Sequence, residues 1–359
     1  MKGLRKYLTP FAPDQSGAVS VLYELGGMLV ICDAGGCTGN VCGFDEPRWF
    51  ETRSAVFSAG LRDMDAILGR DDRLVAKLAD AAEKLDVTFA AVIGTPVPAV
   101  IGTDYRALER MLSKKTDLSI LTVNTDGMEL YDKGEEKAYL ALFEKFSDKN
   151  EESEDMNDKD RPHIGIIGMT PQDVSDLKAA DKIRKVYADQ GMCAICYGMG
   201  DGLDEVRNAS LAAKNVVVSP AALKAAQYLQ KKFGTPYEIA YPLASELVPE
   251  VNYQGKKILI VQQQVIANAV RKEIEKRTGE KEEITTATWF MRKEEILTDL
   301  NVDAADDISL KEEDDFISLV EKEGYDVIFA DPCMERMIPG FEGVFIPLTH
   351  FAVSGKLNV

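Results

Sequence analysis

Unbroken apolar runs punctuate the chain at Met28–Cys32, Val87–Ile93, Leu118–Val123, His163–Ile167, Cys193–Tyr197, Val216–Val218, Ile258–Val261, Thr286–Phe290, Val327–Ala330 and Val344–Pro347. Between them, stretches of helical pattern intervene. A strand with one wet face alternates apolar and polar residues, so continuous runs predict strands buried on both faces. Helices interleaved with such strands predict βαβ units and parallel sheets. The pattern predicts an α/β protein.

Two segments interrupt it. Ser147–Asp160 (SDKNEESEDMNDKD) is polar, mostly acidic and without apolar periodicity, which predicts a solvated linker. Glu246–Gly255, with Pro249 and Gly255, predicts a second connection. They divide the chain into three expected doubly wound, Rossmann-like domains with parallel sheets: 1–150, which carries the Cys32/Cys37/Cys42 segment, 160–245 and 255–359.

Composition narrows the function classes. Of the 359 residues, 45% are hydrophobic and 28% charged, ordinary for a globular protein. Lys and Arg number 42 against 60 Asp and Glu, a net charge of −18 with no basic block. The release of counterions from phosphates has no source in such a chain, so nucleic acid and anionic membranes are not expected partners. The apolar stretch from Phe89 to Gly102 is interrupted by Pro96 and Pro98 and falls short of the ~20 residues that span a bilayer. The positive residues at the amino terminus lead into no apolar segment of the kind that directs secretion, and a cytoplasmic location is expected. In a reducing compartment six cysteines are core thiols, metal ligands or reactive groups rather than disulfides.

In doubly wound sheets ligands gather beyond the carboxyl ends of the strands. There the sequence concentrates its unusual residues. The first run leads into Cys32, Cys37 and Cys42, spaced C-x4-C-x4-C, with Gly35, Gly36, Gly39 and Gly43 between and after them. Glycines allow the backbone to approach a bulky inorganic group, and soft thiolates suit iron–sulfur clusters or zinc. The alternative is a glycine-shaped βα turn with Cys32 as core packing. Three thiols leave a tetrahedral site one ligand short, which a twofold axis would remedy by duplicating every ligand at the interface.

Cys193 and Cys196 have CxxC spacing, but on a strand such residues point to opposite faces, which makes a redox dithiol unexpected. Cys193 is expected in the core and Cys196 at a cavity. Cys333 and His350 follow the last two predicted strands and complete the cavity candidates. No G-x-G-x-x-G, P-loop or nucleophile elbow occurs, so the chain has no expected nucleotide site.

The order of these segments resembles the nitrogenase component 1 superfamily of oxidoreductases. The resemblance runs through Leu29-Val-Ile-Cys-Asp-Ala-Gly-Gly-Cys37, Met64-Asp-Ala-Ile-Leu-Gly69, Ile93 to Asp104, His163-Ile-Gly-Ile-Ile-Gly168, the Gly200-Asp-Gly202 turn and Gly255-Lys-Lys-Ile-Leu-Ile260. It implies a nitrogenase component 1-like fold and puts Cys37 where the family has a cluster-ligating cysteine. It also shows departures. Pro96 or its neighbour stands where the family has a second ligand, and nothing around Tyr7–Phe11 matches a third. Val217-Val-Ser219 replaces the cysteine that anchors the large nitrogenase cofactor, and His350 does not match the cofactor histidine. The compact, homodimeric branch is the nearer likeness, similar to the reductive cyclase of a nickel tetrapyrrole.

Together the residues and the resemblance imply a homodimeric oxidoreductase component. Cys37, Cys42 and Cys32 would bind an interfacial iron–sulfur cluster, 4Fe–4S or a larger P-cluster-like assembly. Electrons would come from a separate P-loop ATPase iron protein and pass to a tetrapyrrole or other small molecule between the domains. A non-catalytic cluster carrier or assembly scaffold and a zinc-containing α/β binding protein are the alternatives.

Overall fold

The computed structural model describes residues 5–148 and 161–358, with residues 66 and 67 described by their backbone alone. The expected acidic linker lies outside the described residues from position 149 onward. Three sheets, all parallel, form the frame. The first has the order β2-β1-β3-β4, from β1 (Met28–Ile31), β2 (Ala55–Ser58), β3 (Phe89–Ile93) and β4 (Ser119–Val123). The second is ordered β6-β5-β7-β8, from β5 (His163–Ile167), β6 (Cys193–Tyr197), β7 (Lys214–Val217) and β8 (Tyr237–Ile239). The third is β11-β10-β9-β12-β13, built from β9 (Lys257–Val261), β10 (Glu283–Thr288), β11 (Asp307–Ser309), β12 (Val327–Ala330) and β13 (Val344–Pro347). This is the expected α/β class with parallel, Rossmann-like sheets.

Continuous apolar strands can be buried on both faces, and here helices and neighbouring sheets cover them. Leu29 and Ile31 of β1 face a core that continues through Ala138, Leu142 and Phe143 to Ile167 and Val217 of the second sheet. The opposite face of that sheet, with Ile164, Ile166 and Val216, joins Ile258, Ile260 and Phe329 of the third. The amino-terminal arm crosses the molecule. Leu8, Phe11 and Ala12 share a core with Trp289, Phe290 and Phe316 of the third unit, and the Glu313 carboxylate accepts the N–H groups of Lys6, Tyr7 and Leu8 at 2.7 to 2.8 Å.

Two helices hold the centre. All nine residues of the Asp14–Leu22 helix are buried, and it crosses the Tyr131–Phe146 helix with backbone against backbone. A Cβ on Gly17 would lie 1.9 Å from the Tyr131 carbonyl oxygen, and one on Gly134 would lie 1.7 Å from that of Asp14. Only glycine permits this approach. The 246–255 connection is fastened rather than loose: Arg277 donates to the carbonyls of Ser245 and Val248, and Val248 and Tyr253 are buried. Among the described residues no helix is long and apolar enough to cross a membrane.

Candidate functional site

The loop after β1 is fixed by one buried acid. Asp33 accepts from the Thr38 N–H (2.8 Å), the Thr38 hydroxyl (3.0 Å) and the Ser58 hydroxyl (2.6 Å). These bonds set the start of the short Gly36–Asn40 helix, and a π-helical turn, Val41–Asp45, continues from it. Such turns are uncommon and frequent at functional sites. Asp45 ties the turn to its surroundings, accepting from Ser16 and Asn40 through its carboxylate and from Gln172 of the second unit through its carbonyl.

Cys37 and Cys42 sit on this segment, half-buried against the core that joins the first two sheets. Strand alternation sends Cys32 the other way. It is fully buried with Met28 and Val30 beside Leu74, Val75 and Leu108, and its thiol is pushed up to about 12 by burial and then by the charges of Asp33 and Asp71. Burial also raises Cys37 and Cys42, aided by Asp33 and Glu46 respectively. The structure thus places Cys37 and Cys42 on one half-buried segment and holds Cys32 in the opposite layer.

The glycines distinguish turn-shaping from something more. Gly35 has φ +122° and needs to be glycine for its conformation. Gly36, Gly39 and Gly43 have no positive φ, and added Cβ atoms there would meet nothing within 4 Å. Neither backbone strain nor packing within the chain accounts for these three. The first unit also exposes large apolar side chains: Phe44, two residues after Cys42, and Phe50 are 75% exposed, Val100 85% and Met128 82%, with Met64 and Leu68 also exposed. Nine of the eleven exposed large hydrophobic side chains among the described residues fall between Phe44 and Met128. They follow or edge the strands of the first sheet, and a clustering of this kind marks an interaction surface.

A cavity of about 520 Å³ opens beside this segment, bounded by Phe11 of the arm, Asn40, Phe44 and Asp45 of the cysteine loop, Gln172 of the second unit and Phe351 of the third. Its size suits a small molecule. Cys196 and Cys333 do not line it. Cys196 is buried between the second and third sheets; Cys333 packs half-buried on the third, its N–H bonded to Asp331. Burial pushes both thiols up to about 12. Cys193, expected in the core, is exposed at the start of β6. It precedes the part of the strand that the neighbouring elements cover.

His350 lies directly behind the cavity wall, one residue before Phe351, and joins a buried polar group that sequence reasoning did not single out. Its Nε2 is 3.2 Å from the Tyr131 hydroxyl, which donates to Asp173 at 2.6 Å. Its backbone N–H donates to the Asp331 carboxylate. Glu135, one helical turn beyond Tyr131, accepts from Thr170 at 2.6 Å. Glu135 is held well above the ordinary carboxylate range, first by burial and then by the charge of Asp173. No pattern in the sequence marks these acids, since Tyr131-Asp-Lys-Gly-Glu135 reads as a polar helix start.

Among the described residues no group of three or more His, Cys, Asp or Glu side chains converges as a metal site. Cys37 and Cys42 nevertheless offer two thiols, donors of the soft kind that suit iron–sulfur groups or zinc, on a segment where Cβ atoms at Gly36, Gly39 and Gly43 would meet nothing within 4 Å.

Comparison with known proteins follows the same line. The model of the nitrogenase component 1 type oxidoreductase family matches residues 14–243. No curated protein matches the chain. Among solved structures the fold is similar to nitrogenase Cp1 at pH 6.5, with a TM-score of 0.69 at 12% identity over 97% of this chain and 87% of that one. Nitrogenase Cp1 at pH 5 gives 0.69 at 15% identity over 98% and 85%. At such identity the structural likeness concerns the fold, while the family match spans well over half of the sequence: the chain belongs to the nitrogenase component 1 type oxidoreductases.

Proposed function

We propose that the protein is the catalytic component of a cytoplasmic nitrogenase-like reductase, a homodimer in which Cys37 and Cys42 of two chains hold an interfacial iron–sulfur cluster. The observation that carries this reading is the open glycine segment: Cβ atoms added at Gly36, Gly39 and Gly43, which flank the two thiols in the chain, would meet nothing within 4 Å, and Phe44 beside them is an exposed apolar side chain that a second copy would cover. Two copies supply four thiolates, the ligand number of a 4Fe–4S cluster. Cys32 is then a packing residue. When bound, the cluster supplies one-electron transfer at low potential, with electrons from a separate ATP-hydrolysing iron protein.

The chain's own residues do the rest. Asp33 fixes the loop through Thr38, a bound metal would take the place of the thiol protons, and the 520 Å³ cavity beside Phe44 and Asp45 receives the small molecule to be reduced. The domains 1–150, 160–245 and 255–359 each supply part of that cavity's wall.

Iron and sulfide analysis with EPR on anaerobically purified protein tests the assignment. Wild type and Cys32→Ala should carry about four irons per dimer, and Cys37→Ala and Cys42→Ala should lose them. Colourless protein after reconstitution, or stoichiometric zinc, refutes it.

A further inference from the structure

The buried acids behind the cavity wall take no part in holding a cluster, and they are numerous for so enclosed a place. Glu135 and Asp173 are 0% and 2% exposed, and one oxygen of each, Glu135 Oε2 and Asp173 Oδ2, has no hydrogen-bond partner. Gln172, fully buried beside Asp173, also keeps an unpartnered oxygen. Buried carboxylate oxygens without partners are costly, and they call for a proton or a cation.

A cation is not provided. The described residues form no converging metal site, and Arg48 is committed to Glu46 at 2.7 Å, to Glu24 at 2.9 Å and to the carbonyls of Ser20 and Gly198. The groups that face Glu135 are Asp132 and Tyr139 on its own helix, Asp173 from the second unit, Arg48 from the first and, through Tyr131, His350 from the third. Acids outnumber bases there, and the low-cost state holds a proton.

The connections form a path. From Asp173 Oδ1 the Tyr131 hydroxyl is 2.6 Å away, and from that hydroxyl His350 Nε2 is 3.2 Å away. A hydroxyl both donates and accepts, so Tyr131 can turn from Asp173 to His350. Asp173 and His350 stand one residue behind the cavity wall, because Gln172 precedes Asp173, Phe351 follows His350, and Gln172 and Phe351 line it.

We propose that Glu135, Asp173, Tyr131 and His350 form a buried proton relay that stores a proton at Glu135 and conducts it to the interunit cavity. Its use there rests on the reductase assignment. Two electrons from the low-potential donor protein and two protons add across one unsaturated bond of the bound molecule. Each proton leaves Glu135 for the Asp173 carboxylate across the turn they share, where the Thr170 hydroxyl donates to Glu135 and the Asp173 N–H donates to the Thr170 carbonyl. Tyr131 takes it from Asp173 while giving its own to neutral His350, and the imidazolium releases a proton to the cavity side. Between turnovers a solvent proton enters at His350 and runs the same path backwards through Tyr131 and Asp173 to Glu135, which returns the imidazole to its starting tautomer and every group to its starting state.

Infrared spectroscopy of the whole protein at about pH 8, in H₂O and D₂O, tests the relay without requiring iron. The expected result is a neutral-carboxyl C=O band that shifts in D₂O and disappears in Glu135→Gln. Its exchange after rapid mixing with D₂O should slow at least tenfold in Tyr131→Phe, which keeps the buried ring. A wild type without a Glu135-dependent band overturns the proposal, as does Tyr131→Phe exchanging at the wild-type rate. A protein that shows the band and its slowed exchange but binds no iron supports the relay and refutes the reductase assignment.

Discussion

Replacing Gly134 by alanine sets two opposed effects against each other. Alanine in a helix interior is favoured over glycine by about 1 kcal/mol. The new Cβ, however, would stand 1.7 Å from the Asp14 carbonyl oxygen and 2.5 Å from its carbon. Both contacting atoms are backbone, so no rotamer relieves the clash, and the two helices must part by roughly 1.5 Å to reach ordinary van der Waals separation. The seam that opens contains Ala18, Val21, Ala138 and Leu142, all fully buried. It also displaces Asp14, whose carboxylate accepts from the N–H groups of Asp126 and Gly127 and from Lys137. Overpacking of this kind costs about 1 to 3 kcal/mol, and weakening two or three hydrogen bonds adds about 1 kcal/mol each. After subtracting the helical gain, Gly134→Ala should lose on the order of 3 kcal/mol. Thermal unfolding followed by circular dichroism should show a midpoint roughly 4 °C lower. A variant as stable as wild type would refute the backbone contact as the constraint at this position.

Gly36→Ala and Gly39→Ala should behave oppositely, since neither has a positive φ nor a neighbour within 4 Å. Their stability should stay within about 1 kcal/mol of wild type, while iron content and dimer mass by light scattering fall; retention of both would remove the glycine argument. Because burial raises Glu135 above the carboxylate range, the folded chain keeps a proton that the unfolded chain releases. Its contribution therefore opposes folding increasingly as pH rises from the unfolded glutamate range to the folded one, by up to about 1.4 kcal/mol per unit. Urea titrations from pH 5 to 8 should show Glu135→Gln gaining on wild type over that window; parallel curves would contradict the burial effect. Asp132, pushed up to about 6 by burial, acts in the same sense below that pH. Glu313→Gln weakens three charge-assisted bonds to the arm, at a cost of about 1 to 3 kcal/mol, and should expose Tyr7 and Phe11 to limited proteolysis; an unchanged cleavage pattern would show that the apolar contacts alone hold the arm.

What was legible in the sequence follows the physics of burial. Strands covered on both faces announce themselves as apolar runs, as β1, β3, β5, β9 and β12 do. The unforeseen strands β2, β8 and β11 lie at sheet edges, where partial exposure leaves mixed sequences such as Tyr-Glu-Ile in Tyr237–Ile239. Spacing drew attention to Cys32, Cys37 and Cys42, yet spacing along a chain does not say that strand alternation turns Cys32 into the opposite core layer. The acids around Tyr131 were invisible for a related reason. An acidic residue near a helix start usually faces water, and only the meeting of three units buries Glu135 and Asp173.

The crossing of the amino-terminal arm has a consequence for biosynthesis. Leu8 and the Glu313 carboxylate that receives it are separated by 305 residues, so at about 5 to 20 residues per second the ribosome needs roughly 15 to 60 s to deliver the second after the first. Throughout that interval Leu8, Phe11 and Ala12 lack the surface that covers them. A segment made early is among the last to settle, which leaves a sticky nascent arm within reach of chaperones until the third sheet has been translated.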